Sequence, residues 1–195
     1  MRKRQGACVV VIVAVLLSSL LAACGAEQPS PAAPTAGASQ AADEHFQKGN
    51  ELFDQGKFEE AIDEYGAALE EDPDNVSVLV NLGVAYYNSG KLDQAVEKYQ
   101  RALELAPDDA DIHSNLGAAY VQQQDMQAGL EEYQRAIELD PNLAQAYFGL
   151  GVIYDGLGQP EDAIAAFERF QELDAGQDAF ASDLAQQYLE RLKGQ

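Results

Sequence analysis

The chain has 195 residues, 47% of them hydrophobic and 23% charged, the balance of a folded, water-soluble domain with segments attached. Asp and Glu number 33 against 12 Lys and Arg, a formal net charge of -21, and a body this acidic repels phosphate backbones, which excludes nucleic acid as a partner. Cys8 and Cys24 are the two cysteines, so the chain beyond residue 24 holds no thiol, disulfide or thiolate metal site.

Arg2, Lys3 and Arg4 form a positive start, and Ala7 to Ala23 is apolar except for Ser18 and Ser19. A basic start, an apolar stretch and small residues at its end describe a secretory signal over residues 1–23. At about 17 residues the stretch sits at the lower edge of what spans a bilayer. It closes on Leu21-Ala22-Ala23-Cys24, which resembles the lipobox of bacterial lipoproteins. The resemblance implies cleavage before Cys24 and covalent lipid on its sulfur, with two or three acyl chains holding more firmly than one. It places the mature protein on a bacterial membrane, the outer one where there are two, since Gly25 rather than Asp follows the cysteine. From residue 24 to 41 the chain is rich in Ala and Pro, with Pro29, Pro31 and Pro34. Such a segment cannot bury a core, and extended it reaches roughly 55 Å.

A period of 34 organises the rest. Pro73, Pro107 and Pro141 are spaced by it, as are Leu82-Gly83, Leu116-Gly117 and Leu150-Gly151, then Tyr86, Tyr120 and Tyr154, then Ala95, Gly129 and Ala163, then Tyr99, Tyr133 and Phe167. Apolar residues within each unit fall at helical spacing, as in Leu79, Leu82 and Tyr86 followed by Val96, Tyr99 and Leu103. Gly56, Gly90 and Gly158 fall where a left-handed residue ends a helix at low cost. These columns resemble the tetratricopeptide repeat (TPR) family. The resemblance implies an all-α, right-handed solenoid of four helix pairs, over residues 42–75, 76–109, 110–143 and 144–177, closed by a capping helix over 178–195. Units of this kind bury their faces only by stacking.

Departures from the columns mark the ends. The first unit has Lys48 and Leu52 where the others have Leu and Tyr, and the fourth has Phe170 where the others have Ala68, Ala102 and Ala136. The last helix is expected to pack through a stripe of Phe180, Leu184, Tyr188 and Leu192. Gln124 in the glycine turn column and Gly129 within a helix are expected to weaken the third unit, the latter by about 1 kcal/mol.

Nothing in the chain spells out catalysis, for neither a nucleophile motif nor a glycine-rich phosphate loop is found. His45 and His113 occupy equivalent places two repeats apart and read as repeat-column side chains rather than metal ligands. The acids in Asp72–Asn75 and Asp108–Asp111 read as helix N-caps rather than calcium loops. No cofactor is expected beyond the lipid on Cys24. Some TPR proteins clamp acidic peptide tails with Lys and Asn. Asn50 and Asn81 match two clamp places, but Phe46, Asp111 and Asn115 stand where the cations belong, so an acidic tail is not expected here.

In the family the first helix of each pair lines the concave surface. The columns there read Phe46, Val80, Ser114, Phe148, then Asn50, Val84, Ala118, Val152, then Phe53, Tyr87, Val121, Asp155. This excess of apolar side chains has two readings, a contact surface or internal packing. The first makes Phe46, Asn50, Phe53, Val80, Asn81, Val84, Tyr87, Asn115, Phe148 and Val152 a groove for a peptide or helix of another envelope protein. A basic partner suits the charge, which otherwise serves solubility. The alternative is a self-associating envelope lipoprotein whose groove is filled by a second copy or by the linker.

Overall fold

The computed structural model describes residues 36–194. Cys24, the predicted signal segment and the linker as far as residue 35 lie outside the described residues. Among the described residues nine helices run in order: α1 (Ala36–Asp54), α2 (Phe58–Glu71), α3 (Val76–Asn88), α4 (Leu92–Leu105), α5 (Ala110–Gln122), α6 (Met126–Leu139), α7 (Ala144–Gly156), α8 (Pro160–Asp174) and α9 (Ala179–Lys193). Among the described residues there is no strand, and the architecture is an all-α repeat solenoid. α1 begins at Ala36, inside the segment read as linker, whose Ala and Gln residues after Pro34 suit a helix.

Packing is built on a glycine–aromatic pair in every unit. A Cβ on Gly83 would come within 2.5 Å of the Tyr99 ring, and one on Gly151 within 2.6 Å of the Phe167 ring. The rings can lie flat on the facing backbone only because these positions lack a side chain. Gly129 works in the same way. An added Cβ would meet Val121 at 2.8 Å and the carbonyl of Gly117 at 3.1 Å. The close approach of α6 to α5 thus offsets the helical cost expected of this glycine.

Consecutive helices pack antiparallel throughout, and the odd-numbered helices also touch one another, α1 to α3, α3 to α5 and α5 to α7. No even-numbered pair packs as closely among the described residues. The odd helices therefore form the inner, crowded layer and the even ones the outer layer. Each pair turns through a left-handed residue, Gly56, Gly90, Gln124 or Gly158. In each turn the next N–H reaches back five residues, from Lys57 to Leu52, Lys91 to Tyr86, Asp125 to Tyr120 and Gln159 to Tyr154. Between units, Asn75 caps α3 and Asp109 caps α5. Arg101 reaches back to Asp74 and Arg135 to Asp108, a clasp repeated by the period.

α9 closes the last unit. Ala185, Leu189 and Leu192 are buried in one cluster with Phe167 and Phe170, and Tyr188 stacks on Phe167 at 4.7 Å between centroids. Arg191 pairs with Asp155 of α7 and Lys193 with Glu168 of α8. The expected stripe needs correcting at its start, since Phe180 is 79% exposed. It lies in the first turn, where α9 has not yet closed onto its neighbours, and Ala181 rather than Phe180 packs inward there.

Candidate functional site

The ten residues singled out on the inner helices are all half-buried. They divide between two cavities, and two of them line neither. Phe46 lies against Tyr65 with ring centroids 6.0 Å apart, and Val80 packs on the core cluster between the second and third units.

The N-terminal cavity, about 320 Å³, is lined by Asn50, Phe53, Asp54, Tyr65, Asn81 and Val84. Its polar groups serve one another. The Tyr65 hydroxyl donates to Asn50 Oδ1 at 2.7 Å, and Asn81 Nδ2 donates to the same oxygen at 2.9 Å. These bonds tie α1, α2 and α3 together, so the two asparagines that matched clamp positions hold the fold here. Burial raises the Tyr65 pKa, countered in part by Asn81.

The C-terminal cavity, about 350 Å³, lies among α3, α5, α6, α7 and α8 and is closed by the turn into α9. Tyr87, Asn115 and Phe148 line it, and an adjoining hollow of about 270 Å³ adds Val121, Gln122 and Val152. Phe148 packs edge-on against Phe170 at 5.2 Å and Phe167 at 5.7 Å, which fixes the apolar wall. Burial raises the pKa of Tyr87, and that of Tyr133 with Tyr87 nearby as a second cause, so both phenols are held protonated as hydrogen-bond donors.

Among the contributors to this cavity that sequence reasoning missed are Tyr133, Gly149, Phe170, Asp174 and Asp178. Asp174, only 8% exposed, accepts from the backbone N–H of Gly176 and Asp178 and from the Ser182 hydroxyl. Asp178 accepts from Ala181 N and caps α9. The signal for this end lay in Ala175, which breaks the proline column just where the loop adopts two left-handed residues, Ala175 and Gly176. No Lys, Arg or His lines either cavity. The histidines are used elsewhere. His45 Nδ1 meets Glu64 at 2.7 Å and His113 Nδ1 meets Glu132 at 2.6 Å, each joining the two helices of a pair.

The family model described as tetratricopeptide repeat matches residues 46–110, 81–144 and 114–178. No curated protein matches the chain. Among solved structures, that of MamA protein is 28% identical over 78% of this chain and 90% of its own, with a TM-score of 0.64. The first TPR domain of Spaghetti (RPAP3), bound to the HSP90 peptide SRMEEVD, is 33% identical over 62% of this chain and 95% of its own, with a TM-score of 0.59. YrrB, described as a TPR protein with an unusual peptide-binding site, is 26% identical over 76% of this chain and 79% of its own, with a TM-score of 0.58.

Proposed function

Since the chain belongs to the tetratricopeptide-repeat family, whose fold serves protein–protein interaction and is generally a non-enzymatic scaffold, we propose that it is a lipid-anchored adaptor of the bacterial cell envelope. Its groove holds a peptide or helix of another exported protein. The observation that carries the groove reading is the pair of half-buried aromatics, Tyr87 and Phe148, forming the apolar wall of a cavity that opens to solvent on the inner helices. Two of the similar structures are of proteins described by the peptides or peptide site they carry, which supports a peptide as the occupant. The acidic peptide of the RPAP3 domain is not carried over, because no cation lines these cavities. The acidic body favours a basic partner, with charge raising the rate of encounter more than the affinity.

The anchor reading rests on Leu21-Ala22-Ala23-Cys24 behind a basic, apolar start. Among the described residues no helix is long and apolar enough to cross a membrane. Cys24→Ser should block lipidation and processing, read by mass, and a chain starting at Ala26 should be free of membranes, read by fractionation. For the groove, a photo-cross-linking residue in place of Tyr87 is compared in native envelopes with one in place of the exposed outer Glu70. An adduct with another protein at Tyr87 alone supports the adaptor. An adduct at Glu70 alone moves the site to the outer layer, and an adduct between two copies selects self-association.

A further inference from the structure

Tyr65 and Tyr133 fill the same column two periods apart, and so do the residues around them. Where Tyr65 has Asn50 and Asn81, Tyr133 has Ala118 and Gly149. Both amide side chains are gone. Ala118, Tyr133 and Gly149 all line the C-terminal cavity. No described residue accepts a hydrogen bond from the Tyr133 hydroxyl, which keeps contact with solvent although the residue as a whole is only 6% exposed. A Cβ on Gly149 would come within 2.2 Å of Tyr133 Cζ, so the phenol end of the ring lies in the place an amide column would have filled. That donor is open to an acceptor entering the cavity.

The surroundings of that donor are of two kinds. Tyr87, Phe148 and Phe170 supply an apolar wall, while Asp174 and Asp178 supply negative charge at the α8–α9 end with no cation to offset it. The volume is at the lower end of ligand pockets, room for one bulky side chain with its adjoining backbone rather than a whole helix.

We infer that this cavity recognises a basic–apolar peptide segment. A bulky apolar side chain sits among Tyr87, Phe148 and Phe170, a backbone carbonyl of the segment accepts from the Tyr133 hydroxyl, and a neighbouring Lys or Arg faces Asp174 and Asp178. The inference rests on the groove reading above and names its ligand class. The N-terminal cavity lacks this role because its hydroxyl and amides are already bonded to one another.

The test titrates fluorescent peptide pools onto the full-length chain in detergent. Each peptide carries one Leu, Phe or Met in a Gly/Ser background, flanked in one pool by Lys and Arg and in the other by Asp and Glu. The basic pool should bind about tenfold tighter or more, and salt should narrow the gap. Tyr133→Phe should weaken it about 2- to 12-fold, the range of one hydrogen bond. Asp178→Asn, which keeps the α9 cap, should weaken the basic pool only. Ala118→Asn should abolish binding by giving Tyr133 the acceptor that Asn50 gives Tyr65. Thermal melts of each variant confirm folding, and should Ala118→Asn misfold, the near-isosteric pair still decides. Equal binding of both pools, no binding of either, or tight binding that survives Tyr133→Phe and Asp178→Asn overturns the inference. If such binding is instead lost in Val84→Glu, the groove reading stands and only this pocket fails. Absence of both peptide binding and the Tyr87 adduct removes both.

Discussion

At the scale of single residues, the two tyrosines give opposite expectations for one atom. Tyr65→Phe strips Asn50 Oδ1 of a partly buried donor and should lower stability by about 1 kcal/mol. Tyr133→Phe removes a hydroxyl that no described residue engages and should change stability by less than about 0.5 kcal/mol, in either direction. Urea titration of the two variants side by side decides it, and equal losses would show that Tyr133 has an internal partner. Glu64 makes a pH-dependent case. Hydrogen bonds from Lys48 first and His45 second hold its carboxyl below the usual carboxylate range. A depressed folded value contributes stability that is complete above the unfolded value and fades as pH falls through the folded one. Glu64→Gln should therefore cost up to about 1 kcal/mol near neutrality, given the exposed Lys48. That cost should shrink in acid, where the wild-type carboxyl is itself protonated, and stability measured across the acid range reads the difference.

At the scale of elements, the turns between paired helices are where local chemistry and the repeat disagree. Gln124 holds φ 67 where the other three turns use glycine, and a side chain in that conformation costs roughly 1–2 kcal/mol. The turn still makes the same backbone bond, Asp125 N to Tyr120 O, so packing of α5 on α6 imposes the conformation on an unfavourable residue. Gln124→Gly should raise the unfolding free energy by about 1 kcal/mol, less the entropy that glycine adds to the unfolded chain. The expected sign is a higher urea midpoint with an unchanged slope. A lower midpoint would mean that Gln124 contributes contacts outweighing its strain.

At the scale of the molecule, each unit is stabilised by its neighbour, and the fourth unit has only α9 on one side. Phe167 is fully buried and Phe170 nearly so, both in the cluster that α9 completes. Burial of one such side chain contributes about 1.5–3 kcal/mol, a large part of the about 5–15 kcal/mol that holds a domain folded. Ending the chain before Asp178 should therefore lower the melting temperature steeply or cause aggregation, and it also removes the closed end of the C-terminal cavity. An unchanged melt would show that α9 is not a cap. The exposed ring of Phe180 gives the internal control, since Phe180→Ser should leave the melt where it was.

The period of 34 determined the helix pairs and the turn residues, because a solenoid repeats the same contacts at the same columns. The family resemblance implied which helices face inward. The columns could not say what each inward residue would do, since its partner comes from the neighbouring unit and changes identity there. Asn50 and Asn81 line the N-terminal cavity and also bond to each other and to Tyr65 across three helices, which no column could foretell. Tyr133, read as a packing residue, lost those same partners to Ala118 and Gly149 and faces a cavity. Phe180 fits a helical stripe by spacing but lies in the one turn of α9 with no neighbour to cover it. Asp174 gave no sequence signal of its own, because a carboxylate that organises a loop is recognisable only once Gly176, Asp178 and Ser182 are folded around it. Periodicity is a property of the backbone stack and is written in the chain. The chemistry of a groove is a property of pairs from different units, and only their tertiary contact decides it.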